Sequence, residues 1–547
     1  MKLQTRLLLA VLCAAPLLFL PAACKRKVEM QAFDEIDRRS AVPAPVEPVK
    51  RDLADLKQKG TLTVLAPYNS TTYFLYRGEP MGYEFELLQA FAKDQGLALK
   101  MHVVTDRKSL YSMLNNGDGD IAAARLVPTD EDRKLVNFTR ELYRTEPALV
   151  QQEVQPEGAK MQEAAKQALQ PAPEAPLPEE LEIYARRVTQ PAQLAGETVH
   201  LPERSPYMTT LIELADDISG EIHVIELGGR IGDEALAQKV AGGEVEFTVM
   251  QANLAELKEA EFKNLKVRPV VGRTHSVTWA VRRNAPELEA ALNSWIEEKK
   301  NGALFNTLYR KYFVDRKKHV ERAGSKYLTS STGKLCEYDH LLQQYAVELG
   351  WDWRLLASQA YQESRFKPDA RSWAGATGLL QLMPRTAKEF GVEDLNDPEQ
   401  NVQGAVRFLQ WLTKHWTKRI DDEDERLKFI LASYNTGAGH VEDAQRLAEK
   451  HGHDPERWEH VSYWLLQKST QQHSTDPVVK FGFCRGVEPV QYVSSILDRF
   501  DHYRQFVVTR HDRPAKRRAR ATVAAAAAAA SRPATRRAAS YGFAAAR

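Results

Sequence analysis

The segment Leu355 to Pro384, LLASQAYQESRFKPDARSWAGATGLLQLMP, holds the residues best suited to proton chemistry. Trp353, Leu356, Ala360 and Glu363 recur at spacings of three and four, which puts Glu363 on the apolar face of a predicted helix. Burial disfavours an ionised carboxylate, so this placement predicts a raised pKa and a populated neutral acid. A neutral carboxylic acid is what protonation of a glycosidic oxygen requires. The ordinary alternative is a salt-bridged glutamate at a helix rim. Gly375, Gly378 and Pro384 frame a tight backbone beside Gln381. Further on, Ser433-Tyr434-Asn435 leads into Gly437-Ala438-Gly439, where a helix ends in a glycine-rich turn. Taken singly, Tyr434 is a core residue at helical spacing, and Gln381 and Asn435 are turn or cap residues.

The elements that must position these groups are helical. From about 334 onward, Leu335, Tyr338, Leu342, Tyr345 and Leu349 recur at helical spacing. Asp397-Pro398 supplies an N-cap and a proline at the first helical position, opening a helix with Val402, Ala405, Val406, Leu409 and Leu412 on one side. Leu427, Ile430, Leu431 and Tyr434 repeat the pattern, as do Val493, Ile496, Leu497 and Phe500. Residues 334–505 are therefore expected to form an all-α domain.

Between 58 and 313 the pattern differs. Short strand-like runs, among them Thr61–Leu65, Ala98–Val104, Asp120–Leu126, Phe247–Gln251 and Ser276–Val281, alternate with helical stretches such as Glu84–Asp94 and Met208–Ala215. This alternation predicts an α/β domain with mostly parallel sheets. Residues 155–180, rich in Glu, Gln, Ala and Pro, read as a disordered insertion, and 314–333 as a linker.

The whole chain has 547 residues, 43% of them hydrophobic, with 75 basic against 73 acidic side chains. That excludes a wholly disordered chain or a collagen-like repeat, and four cysteines are too few for a disulfide-dense miniprotein. The tail from Arg510 to Arg547 carries a net +9, which leaves −7 on the rest and argues against a chain built to grip nucleic acid. Residues 506–547, with their alanine run, read as a solvated low-complexity tail. Lys2, Arg6 and the apolar stretch Leu7 to Leu20 read as an export signal over 1–23, the alternative being an uncleaved anchor. Pro21-Ala22-Ala23-Cys24 resembles a bacterial lipobox, which implies acylation of Cys24, an outer-membrane lipid partner and a place on the periplasmic face. Residues 24–57 then serve as a tether. Cys336 and Cys484 are a possible disulfide pair in such a compartment, or two buried thiols. No CxxC or HExxH spacing occurs, so neither a metal nor a cofactor is expected.

Glu363-Ser364, Gly378-Leu379-Leu380-Gln381, Ser433-Tyr434-Asn435 and a late tyrosine motif, Glu488 to Val493, stand in the order seen in the goose-type lysozyme-like lytic transglycosylases, which residues 335–505 resemble. Leu380 stands where that family often has Met, a swap of similar volume. The resemblance implies an enzyme acting on peptidoglycan strands. Glu363 would protonate the bond between N-acetylmuramic acid and N-acetylglucosamine, then take the proton of the muramic O6 hydroxyl as it closes a 1,6-anhydro ring. Tyr434 would hydrogen-bond Glu363 or the sugar, Gln381 and Asn435 would hold N-acetyl or hydroxyl groups, Ser364 would orient the site, and Gly378 and Tyr492 would complete it. The enzymatic alternative is a lysozyme-type hydrolase with a second carboxylate, drawn from Asp369 or the Glu393-Asp394-Asp397 cluster. The non-enzymatic one is a ligand- or glycan-binding lipoprotein.

Gly78 to Leu87 and Asp118-Gly119-Asp120 resemble the periplasmic solute-binding fold of the amino-acid type, over about 58–313. In that family an arginine grips the ligand's carboxylate. Arg133 and Arg125 compete for the role here, and a plain surface arginine is the alternative for each. A wall-derived muropeptide or another small ligand is the implied partner. The expected architecture is thus multidomain: an α/β solute-binding-like fold followed by an all-α lysozyme-like domain.

Overall fold

The structure, a computed structural model, describes residues 47–153, 188–228 and 231–507. The expected export signal, Cys24, most of the tether, the insertion 155–180 and the basic tail past 507 lie outside the described residues.

The chain divides into two compact units. The first comprises described residues 146–153, 188–228, 231–255 and 264–273. Its sheet is built from β8 (Pro147–Gln152), β9 (Thr198–Pro202), β10 (His223–Leu227), β11 (Phe247–Gln251) and β12 (Leu265–Val270), in the order β10-β9-β11-β8-β12. Leu149, Val199, Leu201, Leu211, Phe247 and Val249 form its core.

The second unit comprises described residues 47–145, 256–263 and 274–507, and carries both the other sheet and the helical domain. That sheet uses β1 (Thr61–Ala66), β4 (Ala98–Val103), β5 (Ile121–Leu126), β6 (Asn137–Phe138), β7 (Tyr143–Thr145) and β13 (His275–Val281). The order is β4-β1-β5-β13-β6, with β7 also paired to β13. A small hairpin joins β2 (Phe74–Tyr76) to β3 (Glu79–Met81). Strands linked through helices run parallel, as in β1 with β4 and β5 or β9 with β10 and β11. The returning strands do not: β13 is antiparallel to β5, β6 and β7, and β8 is antiparallel to β11 and β12. The sheets are therefore mixed, and the expectation of mostly parallel pairing is corrected. Only βαβ crossovers force parallel pairing, and β8 and β13 are not reached by them.

In the helical domain, each major helix begins where its sequence supplies a cap. Asp352 accepts from the Arg354 amide and opens Trp353–Ser364; Asp397 and Asp422 do the same for Pro398–Thr417 and Glu423–Thr436. The longest helices, Pro398–Thr417 and Val487–Phe506, pack with these around Leu342, Leu356, Ala360, Leu380, Leu409, Trp416, Leu447 and Ile496.

Two expected connectors are structured. The end of the tether is docked: Asp52 caps helix Leu53–Lys59, and Arg51 pairs with buried Asp120 at 2.6 Å. The segment 314–333 contains helices Arg316–Ala323 and Thr329–Thr332, and the Arg77 amide donates to the Tyr327 carbonyl at 3.0 Å. His319, Arg322, Leu328 and Thr329 are buried there, which its polar sequence disguises. The helix Val487–Phe506 is tied to the same sheet region: Tyr503 Oη donates to the Gly78 carbonyl at 2.8 Å and Gln505 Nε2 to Met101 at 3.0 Å.

Candidate active site

Glu363 lies on the last turn of Trp353–Ser364. Its side chain is partly open to solvent, yet protein surrounds it closely, and burial pushes its pKa up to about 8. A hydrogen bond from Tyr492 opposes the shift, and no charged neighbour contributes to it. Tyr492, buried on the helix Val487–Phe506, donates its hydroxyl to Glu363 Oε1 at 2.5 Å. Gln359, one turn before Glu363 on the same helix face, donates Nε2 to Tyr492 Oη at 3.1 Å.

Tyr434 sits near the end of Glu423–Thr436 and presents its ring beside Phe408, with centroids 5.2 Å apart. Its hydroxyl donates to the Leu380 carbonyl at 2.7 Å, so of its two expected partners, Glu363 or the sugar, Glu363 is not the one bonded here. The Leu380 oxygen meets the phenol first, and Glu363 acts on Tyr434 through its charge, which adds to burial in raising the tyrosine pKa. Asn435 is exposed beside it at the helix end.

The loop between Ser364 and Pro384 is held from three sides. Ser364 Oγ, buried, donates to Leu379 O at 2.8 Å and to Ala360 O at 3.1 Å. Gln381 Nε2 donates to Ala370 O and Gly378 O at 2.8 and 2.9 Å, so its amide nitrogen holds the turn and only its oxygen remains to face a sugar. Gly378 has φ of +89°, and a Cβ there would come within 2.1 Å of Asn401 Nδ2. Fully buried Asn401 accepts from the Leu380 amide at 2.8 Å and donates to Thr377 O and Leu395 O, both at 2.9 Å. The sequence reading missed Asn401 and Gln359. A polar residue in register with an apolar stripe was the available signal: Asn401 precedes Ala405 by four, and Gln359 precedes Glu363 by four.

Of the carboxylates that a hydrolase would draw on, two bond to local backbone and two are exposed. Asp397 Oδ1 caps its helix through the Gln400 amide at 2.8 Å, Asp394 Oδ1 accepts from the Asn396 amide at 2.9 Å, and Glu393 and Asp369 are exposed. None is among the causes that shift Glu363.

The Transglycosylase SLT domain family matches residues 340–456, and the family of bacterial extracellular solute-binding proteins, family 3, matches 60–315. A membrane-bound lytic murein transglycosylase F from Desulfosudis oleivorans is 30% identical over 458 residues, covering 83% of this chain and 92% of that protein. The chain belongs to the membrane-bound lytic murein transglycosylase F family. Another member, from Stutzerimonas stutzeri, is 30% identical over 466 residues, covering 82% of this chain and 86% of its own. Among solved structures, an ancestral arginine-binding protein bound to arginine is 20% identical with a TM-score of 0.36, covering 46% of this chain and 98% of that one.

The SLT match in this transglycosylase F chain encloses Glu363, Ser364, Gly378, Gln381, Tyr434 and Asn435 but ends before Tyr492. Tyr492 is expected from the late tyrosine motif, and the structure adds its bond to Glu363. In the solute-binding region the two candidate arginines separate. Arg133 is exposed, its guanidinium 5.6 Å from the centre of the Phe138 ring. Arg125 is buried with φ of +51°; its amide donates to Glu84, and its Nη1 to Thr71 Oγ1 at 3.4 Å.

Cys336 and Cys484 are free, buried thiols, so the disulfide alternative is corrected. Cys336 Sγ donates to Asp339 Oδ1 at 3.4 Å, while Cys484 Sγ is 3.2 Å from Thr436 Oγ1. Cys336 neighbours Tyr503, near the end of Val487–Phe506, whereas Cys484 immediately precedes that helix. A helix of 20 residues is about 30 Å long, far beyond the reach of a bridge. Among the described residues no helix is long and apolar enough to span a membrane, and no cluster of His, Cys, Asp or Glu could hold a metal ion.

Proposed function

We propose that this chain is a murein-degrading lytic transglycosylase in which Glu363 is the single acid and base. The observation that carries this reading is a carboxyl group raised to about 8 by burial, held by Tyr492, with no second carboxylate acting on it. In the neutral form Glu363 gives its proton to the glycosidic oxygen between N-acetylmuramic acid and N-acetylglucosamine. The C1–O bond breaks and the N-acetylglucosamine side leaves as an alcohol. The muramic acetamido oxygen stabilises the cationic C1, the substrate-assisted exception to the two-carboxylate scheme. The muramic O6 then bonds to C1, and its proton passes to the Glu363 carboxylate. The acid is restored, a 1,6-anhydro end is formed, and no water is consumed.

Gln381 and Asn435 are assigned to hold the sugar's polar groups. Ser364 and Gly378 keep the loop that presents Gln381, and Tyr434 fixes Leu380 beside the acid. A lipid on Cys24 anchors the chain to the periplasmic face of the outer membrane, and the solute-binding domain takes up a small wall-derived ligand, with Arg125 and Arg133 the two candidates to grip it. Mass spectrometry of sacculi digested with wild type and with Glu363→Gln tests the enzymatic reading. Wild type should give anhydromuramic ends and the variant none; reducing ends would assign hydrolysis instead.

A further inference from the structure

Gln359 has no role in the scheme above, yet among the described residues it is the one other side chain hydrogen-bonded to the phenol that holds the acid. Its amide is fully buried, its nitrogen donates to Tyr492 Oη, and its oxygen Oε1 is buried without a hydrogen-bond partner among the described residues. Buried amide oxygens are rarely left unpaired, and the exceptions concentrate where structure serves chemistry.

A phenol has one hydrogen and can also accept one. Once Gln359 occupies a lone pair of Tyr492 Oη, the single hydrogen of Tyr492 is directed at Glu363 Oε1. That oxygen is then an acceptor, and the proton of the neutral acid resides on Oε2.

We infer that Gln359 is a positioning residue for the reaction: by donating to Tyr492 it fixes the direction of the Tyr492 hydroxyl, and thereby the oxygen of Glu363 that carries the transferable proton. The inference rests on the assignment of Glu363 as acid and base. Among the described residues, two titratable groups act on or with Glu363: Tyr492 from Val487–Phe506, by hydrogen bond, and Tyr434 from Glu423–Thr436, through charge. No charged side chain is among the causes acting on it. Polarised by Gln359, Tyr492 is a stronger donor to the carboxylate and restrains the upward pull of burial. Without Gln359 the hydroxyl can turn away, the ionised form loses support, and Glu363 keeps its proton to higher pH.

The test is the pH profile of kcat/KM on purified peptidoglycan for wild type, Gln359→Met, Tyr492→Phe, the double variant and Glu363→Gln. Gln359→Met is expected to lower kcat about tenfold with KM little changed, and to move the alkaline limb to higher pH. In the Tyr492→Phe background the same change should add nothing, since the hydroxyl it orients is gone. Gln359→Leu, which also removes the donor, covers the case in which methionine impairs folding, and it should move the alkaline limb in the same direction. An unmoved limb in the Gln359 variants, or an undiminished effect in the Tyr492→Phe background, overturns the inference. Activity retained by Glu363→Gln would instead overturn the underlying assignment.

Discussion

Tyr434 Oη donates to the Leu380 carbonyl at 2.7 Å, while the hydroxyl that reaches Glu363 comes from Tyr492. Two tyrosines beside one acid thus have separate tasks. Tyr434 holds the loop, and Tyr492 holds the carboxyl group. Tyr434→Phe should therefore raise KM and cost about 1 kcal/mol of stability by stranding a buried carbonyl, with the pH profile nearly unmoved. Tyr492→Phe should lower kcat and shift the profile. Similar shifts from both variants would contradict the division.

The pH profile itself is the next expectation. The productive form of the free enzyme carries a proton on Glu363, whose pKa is raised from 4.5 to about 8. Activity as kcat/KM should stay level through neutral pH and fall as pH rises through about 8. Removing the bond from Tyr492, which lowers the pKa, should move that fall upward. A fall beginning near 4.5 would mean that the carboxyl is solvated like an ordinary glutamate.

The same shift has a stability consequence of defined sign. Glu363 has a folded pKa above its unfolded one, so between 4.5 and about 8 the folded state binds the extra proton. Stability is then lost as pH rises across that window and levels off above it. Glu363→Gln removes this dependence. Relative to wild type, it should gain about 2–4 kcal/mol between acid conditions and pH above 8, a range kept below the full shift because the side chain is partly open to solvent. Urea unfolding of both proteins at the two extremes measures the difference, and a gap independent of pH would refute it.

These expectations show which parts of the molecule were legible in the sequence. Spacing alone put Glu363 on the inner face of its helix, because helical periodicity is a local property. It also bounded β11 at Phe247–Gln251 as the structure has it. The mixed pairing of β8 and β13 was not legible, because strand direction is set by connections across the whole domain. Nor was the choice of Tyr492 over Tyr434 as the partner of Glu363. Both tyrosines lie on inward helix faces, and a bond between residues 129 apart is decided by packing. Polar stretches such as 314–333 looked like connectors because their buried residues, His319 and Arg322 among them, are charged or polar types.

Separation of the cysteines gives a chemical expectation. Burial pushes the Cys336 thiol far up, so it is neutral and unreactive in the folded protein. Alkylation without reductant should leave Cys336 and Cys484 unmodified in native protein and modify both in denaturant, as read by peptide mass. A linked peptide pair under oxidising conditions would show that the helix between them does not hold them apart.

Gly378→Ala should be among the most damaging single changes in the catalytic domain. The φ of +89° is outside the range a side chain readily accepts, and the added methyl would sit 2.1 Å from Asn401 Nδ2 and 2.3 Å from Leu395 O. Together these are expected to cost about 3 kcal/mol or more and to lower activity by displacing Leu380 and Gln381. Asn401→Ala should itself cost about 2–3 kcal/mol by stranding the buried Leu380 amide and two carbonyls. The two losses should not add, because alanine at 401 removes one of the atoms that the new methyl strikes, while φ and the Leu395 oxygen stay as they are. The double variant should therefore unfold at a higher temperature than the sum of the single losses implies. Strict additivity would show that φ and the Leu395 oxygen account for the restriction at 378, with Asn401 playing no part in it.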